Sequence, residues 1–350
     1  MSCFYFPRVP INIRLLRSRP FHPFHPSILP SFHSSISSTL PLFHSSILPL
    51  FHLAPRTSSR KLALPLTHHF SFSISHQMAT PLRIAFSTLA FADETLAEAV
   101  SLGSSLGYAG VELRVIDGKL FDSSLSAADR ERVKRATAAV RLPIVAVGSS
   151  VVLTAEKPGS ELRRILELTN EWESPFVRVY GGQLSEDPET RRKQMESAAQ
   201  VLEASIPIAE RLGVVMLLET HDGFSASSVA AELLAKVPSK WVGALWDSHH
   251  PHRMGETPAQ VYENIGRRSV HIHVKDARRS PAHKNGWQLV PLGEGEVPVR
   301  EILKLLVAGG YQGWLTVEWE KYWHPEIEAA DIALPHELKV LQEWLQAPRG

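Results

Sequence analysis

Residues 269–279 read SVHIHVKDARR, a short aliphatic run that ends in a charged cluster. The aliphatic side chains alternate with His271, His273 and Lys275, and alternation with a period of two predicts a β-strand. This pattern turns both imidazoles toward one face of the strand. A lone strand histidine is commonly a core residue, but two on one face ahead of a charged cluster favour a strand that presents a ligand at its C-terminal end.

Similar apolar runs recur on both sides of this strand, and longer amphipathic segments separate them. The runs predict eight strands, at residues 83–88, 111–115, 143–148, 176–180, 214–220, 242–247, 270–275 and 314–319. The amphipathic segments predict helices at residues 94–106, 127–141, 159–172, 189–212, 227–237, 299–306 and 337–345, and one opened by Thr257 and Pro258. Pro207 is expected to kink or split the helix at 189–212.

Eight strand–helix units in about 265 residues predict an α/β protein with the (β/α)8 TIM-barrel fold. We expect residues 78–350 to form it as a single domain. The alternative is an open doubly wound sheet, whose first strand is usually followed by a Gly-rich phosphate loop. No such loop follows Thr88, so the sequence favours the barrel.

Residues 1–77 differ from the rest of the chain, because they contain seven Arg or Lys residues and no Asp or Glu, with many Ser, Pro, His and Phe. This composition predicts a disordered segment. It fits a transit peptide to the chloroplast or mitochondrion. The alternatives are a spurious extension upstream of a true start at Met78, which would make the protein cytoplasmic, or a functional disordered tail. The single cysteine, Cys3, lies here, so the remainder has no disulfide and no thiolate ligand.

The predicted domain is acidic although the whole chain has a net charge of +1. Residues 78–350 hold 30 of the 37 basic residues and all 36 acidic ones. Proteins that bind nucleic acids usually have an excess of Arg and Lys, and this domain has an excess of acidic residues, so we expect no nucleic-acid partner. Pro, His and Ser interrupt every apolar run before about 18 residues, so no membrane span is expected either.

Chemistry in a barrel of this kind takes place at the C-terminal ends of the strands. Strands five to eight end at Glu219, Asp247, His273 and Glu318. Three carboxylates and one imidazole suit Mn²⁺, Mg²⁺, Co²⁺ or Zn²⁺, with positions left open for a substrate. Each acid alone could be a salt-bridged core residue. Buried carboxylates need a cation or a partner, however, and four ligands in register favour one metal site.

Further polar residues follow these ligands in the chain. His221, His250 and Arg279 come in the loops after strands five, six and seven, and each is expected to lie just above the ligand of its strand. His249 and His252 are expected beside the site or on the surface rather than as ligands.

Several polar residues within the strands have open interpretations. His271 lies one layer deeper than His273, which predicts a hydrogen-bonded barrel residue. Glu112, Arg178 and Tyr180 are either pocket residues or members of an ion pair inside the barrel.

The long connection after strand seven, residues 280–298, is either a phosphate site or a solvated lid. Barrels often bind phosphate in the loops after strands seven and eight. Arg278, Arg279 and Lys284 could supply the positive charge.

Four segments together resemble the xylose isomerase-like TIM-barrel superfamily. They read LLETH (217–221), LWDSHH (245–250), HIHVKD (271–276) and PLGEGEVPVREILKLLVAGGYQGWLTVEWE (291–320). The resemblance is strongest to the sugar (phosphate) isomerase/epimerase branch, which includes ketose 3-epimerases, hydroxypyruvate isomerases and inosose dehydratases. It extends over roughly residues 82–345, and its ligand pattern is specific for the superfamily rather than for one substrate.

The resemblance implies one divalent ion held by Glu219, Asp247, His273 and Glu318, with His250 and Arg279 at the substrate. It implies an isomerase or epimerase of a sugar, sugar phosphate or small hydroxy-ketone that acts through an enediolate, which the ion stabilises as a Lewis acid. Glu219 and Glu318 would serve as acid and base on opposite sides of the ion. The expected partner is a small carbohydrate or keto-polyol, and a homo-oligomer is compatible with this.

Three alternatives remain open from the sequence. Loss of a β-hydroxyl from the same enediolate would make the protein a dehydratase of an inosose or a related polyol ketone. A barrel without catalytic activity could be a binding protein. The superfamily also holds type IV apurinic endonucleases, but these need a DxH pair after strand seven, and residues 276–295 contain only His283 and no such pair.

Overall fold

The structure is a computed structural model that describes residues 82–283 and 285–346. Eight parallel strands close into a barrel in chain order, with the last strand paired to the first. Their bounds, β1 to β8, are Arg83–Ser87, Gly110–Leu113, Ile144–Val152, Phe176–Tyr180, Val215–Glu219, Val242–Asp247, Ser269–Val274 and Trp314–Val317. The predicted (β/α)8 TIM barrel is therefore confirmed.

Eight helices surround the described barrel and connect or follow its strands. Their bounds, α1 to α8, are Leu96–Leu106, Ala127–Ala139, Gly159–Glu171, Pro188–Leu212, Ser227–Lys236, Pro258–Ile265, Val299–Ala308 and Ala330–Gln346. No helix in the described ranges is long and apolar enough to cross a membrane.

Local sequence signals explain where several helices begin. Thr257 caps α6, because its side chain accepts a hydrogen bond from the Gln260 backbone N–H while the Gln260 side chain accepts one from the Thr257 N–H. Thr95 and Glu98 form the same reciprocal capping box at α1. Each box satisfies backbone donors that the first helical turn leaves unpaired.

The barrel packs against its helices through outward-facing apolar side chains. Phe86 of β1 is fully buried against α1, and Gly103 of that helix provides the room. A methyl group at position 103 would come within 2.0 Å of the Phe86 Cε1 atom, so only glycine allows this close approach. Alternate positions on the strands point into the barrel instead, and several of these are polar or charged.

The fourth helix has the predicted bounds to within one residue, whereas the last helix was predicted to begin too late. The fourth helix runs through Pro207 without splitting, since a single lost backbone hydrogen bond does not separate a helix that buries a long apolar face. The last helix begins at Ala330, seven residues before the predicted start at Glu337, and Pro335 lies within it.

Two hairpins and a short helix at the ends of strands were not predicted from the sequence. A tight hairpin pairs Val115–Ile116 with Lys119–Leu120 after β2. A second hairpin pairs Asp276–Arg279 with Trp287–Val290 after β7. A short helix, His249–Arg253, follows β6. All three lie at the C-terminal ends of strands, where they shape the mouth of the barrel.

The predicted N-terminal segment, residues 1–77, lies outside the described residues. Its disorder, its proposed transit function and the domain boundary at Met78 therefore stay predictions.

Candidate metal centre

The structure brings the four predicted ligands together. Glu219 and Asp247 end β5 and β6, His273 lies near the end of β7, and Glu318 directly follows β8. Each offers a donor atom within 4.8 Å of the donors of the other three. All four residues are buried, with at most 6% of any of them exposed. Three carboxylate oxygens and one imidazole nitrogen at this spacing fit a divalent cation.

His273 is the centre of this group. Its Nδ1 atom lies 3.3 Å from Glu219 Oε1 and 3.2 Å from Glu318 Oε1, and it has no hydrogen-bond partner among the described residues. Its Nε2 atom is 2.9 Å from Glu112 Oε2 on the opposite side of the ring. With a proton on Nε2 donated to Glu112, the lone pair of Nδ1 faces the carboxylates, as a metal ligand requires.

Glu219 and Glu318 are arranged alike on the two sides of His273. Each points its Oε1 atom at the imidazole and its Oε2 atom at a buried cation. The cation is Arg178, whose Nη1 donates to Glu219 over 2.8 Å, and Lys275, whose ammonium group contacts Glu318. The two carboxylates are therefore fixed in position and flank one region of space.

The cations determine the ionisation of both acids. Burial raises the pKa of Glu219, but Arg178 and His273 outweigh it and hold the pKa below its ordinary value. Burial likewise raises the pKa of Glu318, and His273 and Lys275 together hold it well below its ordinary value. Both side chains are thus carboxylates at neutral pH, the form that binds a metal.

Asp247 is held by the backbone of the turn after β6. Its Oδ1 atom accepts hydrogen bonds from the backbone N–H groups of His249 at 2.8 Å and His250 at 3.0 Å. Its Oδ2 atom accepts no hydrogen bond from the described residues. The Lys275 ammonium lies 2.8 Å away, but its direction does not fit a hydrogen bond. This oxygen is therefore the free donor that Asp247 offers to the site.

Lys275 belongs to the site, although the sequence analysis gave it no role. It is 4% exposed and contacts Asp247, Glu318 and Glu320. Burial lowers the pKa of Lys275, but these acids outweigh it and raise the pKa well above its ordinary value. The available signal was its position two residues after His273, which turns it toward the same face of β7.

His221 and His250 lie beside the four ligands, and their role at a substrate stays a prediction. The His250 Nδ1–H donates to the Thr220 carbonyl over 2.7 Å. Burial holds the pKa of His250 well below its ordinary value, so its Nε2 atom is a hydrogen-bond acceptor. The His221 ring is 4.7 Å from that of His250, and its Nδ1 atom is 3.0 Å from Asp222.

Arg279 lies away from the four ligands. Its side chain is 77% exposed, extends along the second hairpin and stacks 5.2 Å above the Trp287 ring. The same indole ring packs against His249 at 5.1 Å and His252 at 5.6 Å. The predicted substrate arginine thus belongs to an aromatic and cationic cluster at the rim, because the hairpin carries it outward.

The phosphate interpretation of the connection after β7 gains no support. Arg278 is hydrogen-bonded to Gln288 at 3.2 Å, and the Arg279 backbone is held by Glu296 at 2.8 Å. Neighbouring residues of a strand point to opposite faces, so the two arginine side chains do not converge. Lys284 lies outside the described residues.

The deeper polar residues form a network across the barrel. Glu112 of β2 accepts from both His273 and His271, in each case at 2.9 Å. His271 also bonds to Thr316 at 2.8 Å, as expected of a structural barrel residue. Arg178 stacks 3.9 Å above the Tyr180 ring. This network supports the ligands from below.

Comparison with known proteins identifies the family. A family model described as the xylose isomerase-like TIM barrel matches residues 100–345. The chain belongs to this family. The resemblance found in the sequence is thereby confirmed, and the ligand set lies at the mouth expected of a family barrel.

Two curated relatives within this family are distant. An inosose dehydratase from Lacticaseibacillus casei is 26% identical over 191 residues, which cover 50% of this chain and 59% of the relative. A fructoselysine 3-epimerase from Escherichia coli O157:H7 is 23% identical over 234 residues, which cover 61% of this chain and 82% of the relative. The match to the dehydratase thus spans about three fifths of that relative's length.

Solved structures agree with the family fold. The IOLI protein, solved with a bound zinc atom, superposes with a TM-score of 0.64 at 18% identity and covers 75% of this chain and 98% of its own. The probable 3-DHS dehydratase AsbF of Bacillus anthracis gives a TM-score of 0.60 at 19% identity, over 75% of this chain and 99% of its own. Identities this low establish the barrel and nothing more.

Proposed function

We propose that this protein is a divalent-metal-dependent isomerase or epimerase of a sugar, sugar phosphate or small hydroxy-ketone that acts through an enediolate. The observation that carries the proposal is the convergence of Glu219, Asp247, His273 and Glu318 within 4.8 Å at the mouth of the barrel. An epimerase among the relatives and a zinc-bound protein among the structural neighbours support it.

The four ligands would hold one ion, Mn²⁺, Mg²⁺, Co²⁺ or Zn²⁺. His273 would bind through Nδ1 and Asp247 through Oδ2, the atoms that lack hydrogen-bond partners among the described residues. When bound, the ion supplies Lewis-acid stabilisation of the negative charge that develops on two substrate oxygens as the carbon between them loses its proton.

The proton transfers are assigned to Glu219 and Glu318. The two carboxylates flank His273 from opposite sides, at 3.3 and 3.2 Å from its Nδ1 atom. A substrate bound between them would expose one face of its reacting carbon to each acid. Removal of a proton on one face and return on the other inverts a carbon, whereas return to the neighbouring atom moves the carbonyl group.

Substrate positioning is assigned to His221, His250 and Arg279. The free Nε2 of His250 can accept a hydrogen bond from a substrate hydroxyl beside the metal ligands. Arg279 would act from the rim, through the Trp287 platform on which it stacks. A small carbohydrate or keto-polyol is the proposed partner. The absence of a nucleic-acid partner and the presence of a homo-oligomer stay predictions.

A dehydratase is the second candidate, and His221 favours it. Loss of a β-hydroxyl needs a proton donor beside the base. Burial lowers the pKa of His221, but Asp222 and Glu219 outweigh it and raise the pKa above its ordinary value. The His221 ring lies 4.7 Å from that of His250, beside the ligands, and in its protonated form it could protonate the departing hydroxyl group.

The test is a substrate screen of the full chain loaded with Mn²⁺ in D₂O, followed by NMR. The panel contains ketoses, inososes, hydroxypyruvate and sugar phosphates. The proposal expects exchange of one carbon-bound proton and formation of an isomer or epimer, and the Glu318→Gln variant serves as the inactive control. An unsaturated product would establish the dehydratase instead. Metal binding without exchange in any substrate would favour a non-catalytic binding barrel.

Location in the cell is a separate proposal that rests on the composition of residues 1–77 alone. We propose a chloroplast or mitochondrial protein. A fluorescent fusion of residues 1–77 should enter the organelle, and a cytosolic fusion would favour the spurious-extension interpretation.

A further inference from the structure

Arg114 is a buried cation that has no acidic partner among the described residues. It follows β2, two residues beyond Glu112, and is 5% exposed. Its Nη1 group donates to the Gly148 carbonyl over 3.2 Å and to Ser150 Oγ over 2.8 Å. Within the described ranges, no carboxylate lies within salt-bridge distance of it, and its Nε and Nη2 groups have no hydrogen-bond acceptor. Neither group is among the fully buried polar atoms that lack a partner, so both can donate to an anion that enters the mouth.

A second buried arginine lies beside the first. Arg178 of β4 is 2% exposed and gives Nη1 to Glu219, while its Nε group has no partner among the described residues. Both arginine side chains pass over Gly148 of β3. If residue 148 carried a side chain, its Cβ atom would lie 3.2 Å from Arg114 Cδ and 3.1 Å from Arg178 Nη2. Glycine at this position therefore allows both arginines to enter the mouth.

The two arginines lie on the β2–β4 side of the mouth, whereas the predicted metal ligands lie on the β5–β8 side. Burial and the neighbouring Arg178 charge lower the pKa of Arg114, while Glu219 and Glu318 oppose this. Arg178 contacts Glu219 directly and lies beside Arg114 at Gly148, so both arginines face the same mouth as those acids.

We propose that Arg114 and Arg178 form a subsite for a carboxylate group of the substrate. The inference rests on the proposed function, since it uses the same mouth, and it narrows the substrate to a polyhydroxy acid with a keto group. Two planar guanidiniums with unshared N–H groups match the two oxygens of a carboxylate. Arg178 would bind this carboxylate through Nη2, the group beside Gly148, while Nη1 stays on Glu219, which ties the position of the substrate to that of the assigned base.

The test measures binding and not turnover. D-gluconate, D-glucitol and D-glucitol 1-phosphate share a six-carbon polyol chain and differ only at C1, so their dissociation constants isolate the charged group. Calorimetry uses the full chain with Mn²⁺ and without it. We expect gluconate to bind the wild type at least tenfold more tightly than glucitol, with or without the ion.

The variants separate the subsite from other contacts. Arg114→Gln should weaken the binding of gluconate by about ten- to a hundredfold, which corresponds to the loss of one hydrogen bond to a charged group. The binding of glucitol should not change. Arg114→Lys keeps the positive charge and should therefore keep part of the preference for gluconate over glucitol. This result would show that the loss in Arg114→Gln comes from the missing charge and not from a misfolded barrel. Arg163→Gln, on α3 with its side chain 65% exposed, is the control and should behave as the wild type.

Three outcomes would overturn the proposal. Equal gluconate binding by the wild type and Arg114→Gln would mean that gluconate is held elsewhere, for example by the ion. If the preference for gluconate over glucitol disappears when Mn²⁺ is removed, gluconate is held by the ion and not by Arg114. Tighter binding of the phosphate ester that depends on Arg114 would assign the subsite to phosphate. Failure of turnover with an intact gluconate preference would instead count against the proposed reaction alone.

Discussion

The ammonium nitrogen of Lys275 lies 2.8 Å from the Oδ2 atom of Asp247, one of the four predicted metal ligands. The same group contacts Glu318 and Glu320. One fixed cation thus partly neutralises carboxylates that would otherwise repel one another at the mouth of the barrel. The consequence is that stability and metal binding depend on the same side chain.

Lys275→Met should destabilise the metal-free protein by about 3 to 5 kcal/mol, because it leaves buried carboxylates without their cation. Mn²⁺ should recover much of this loss by replacing the missing charge. Urea unfolding in a chelator and in excess Mn²⁺ measures both effects.

Lys339→Met is the matched control, since Lys339 is 76% exposed and lies 4.0 Å from Glu343. It should change the free energy of unfolding by less than about 1 kcal/mol. An equal loss of stability in both variants, or no response of Lys275→Met to Mn²⁺, would contradict the role of Lys275 as a counter-ion.

Glu219→Gln and Glu318→Gln should each abolish turnover and keep part of the metal affinity. A glutamine retains a carbonyl oxygen for the ion but cannot accept the substrate proton. Asp247→Asn should weaken the metal more selectively, because Asp247 has no assigned proton transfer. Calorimetry with Mn²⁺ and proton exchange in D₂O separate the two effects, and near-full activity of either glutamine variant would refute the assignment.

Glu112→Gln should weaken metal binding without removing a ligand. Glu112 accepts the Nε2 proton of His273 at 2.9 Å and so leaves Nδ1 free for the ion. Loss of such an outer partner typically costs about 10- to 100-fold in metal affinity. The measurement is a competition titration against a chelating dye. An unchanged affinity would show that the tautomer of His273 is set by another contact.

Glu337→Gln should stabilise the protein in a pH-dependent way. Burial, with help from Asp276 and Glu294, raises the pKa of Glu337 from 4.5 to about 8, although the Leu292 backbone N–H opposes this. The folded state therefore holds a proton that the unfolded state releases, and its stability falls as the pH rises from 4.5 to 8.

The glutamine side chain of this variant cannot ionise, so the gain over the wild type should be small at pH 4.5 and reach about 2 to 4 kcal/mol at pH 8. Chemical unfolding at several pH values measures it. Glu343→Gln, at a position 62% exposed, is the control and should show no such trend. A gain that is constant with pH would mean that Glu337 is ionised in the folded protein.

The sequence predicted the barrel and the ligands because both depend on local patterns. Alternation along each strand determines which side chains point inward, and strand ends in a barrel share one face. Glu219, Asp247, His273 and Glu318 could therefore be chosen without knowledge of their contacts.

Long-range contacts could not be predicted in the same way. Glu112 meets His273 across 161 positions of the chain, and no local pattern identifies that pair. Arg279 was predicted to lie in the site because it follows His273 by six residues. The second hairpin turns it toward Trp287 instead. The geometry of this hairpin depends on strand pairing, which the charged sequence does not reveal. The alternation along the strand places Lys275 on the same face as His273. It does not indicate that Asp247, Glu318 and Glu320 surround this lysine.

Anomalous diffraction from crystals of the full chain grown with Mn²⁺ tests the central claim most directly. The account predicts one strong peak per chain at the barrel mouth, within about 2.5 Å of donor atoms from Glu219, Asp247, His273 and Glu318. Crystals of Asp247→Asn grown under the same conditions should show a weaker peak at the same place. A peak held by other residues, or no peak at saturating Mn²⁺, would contradict the assignment of these four residues as one metal site.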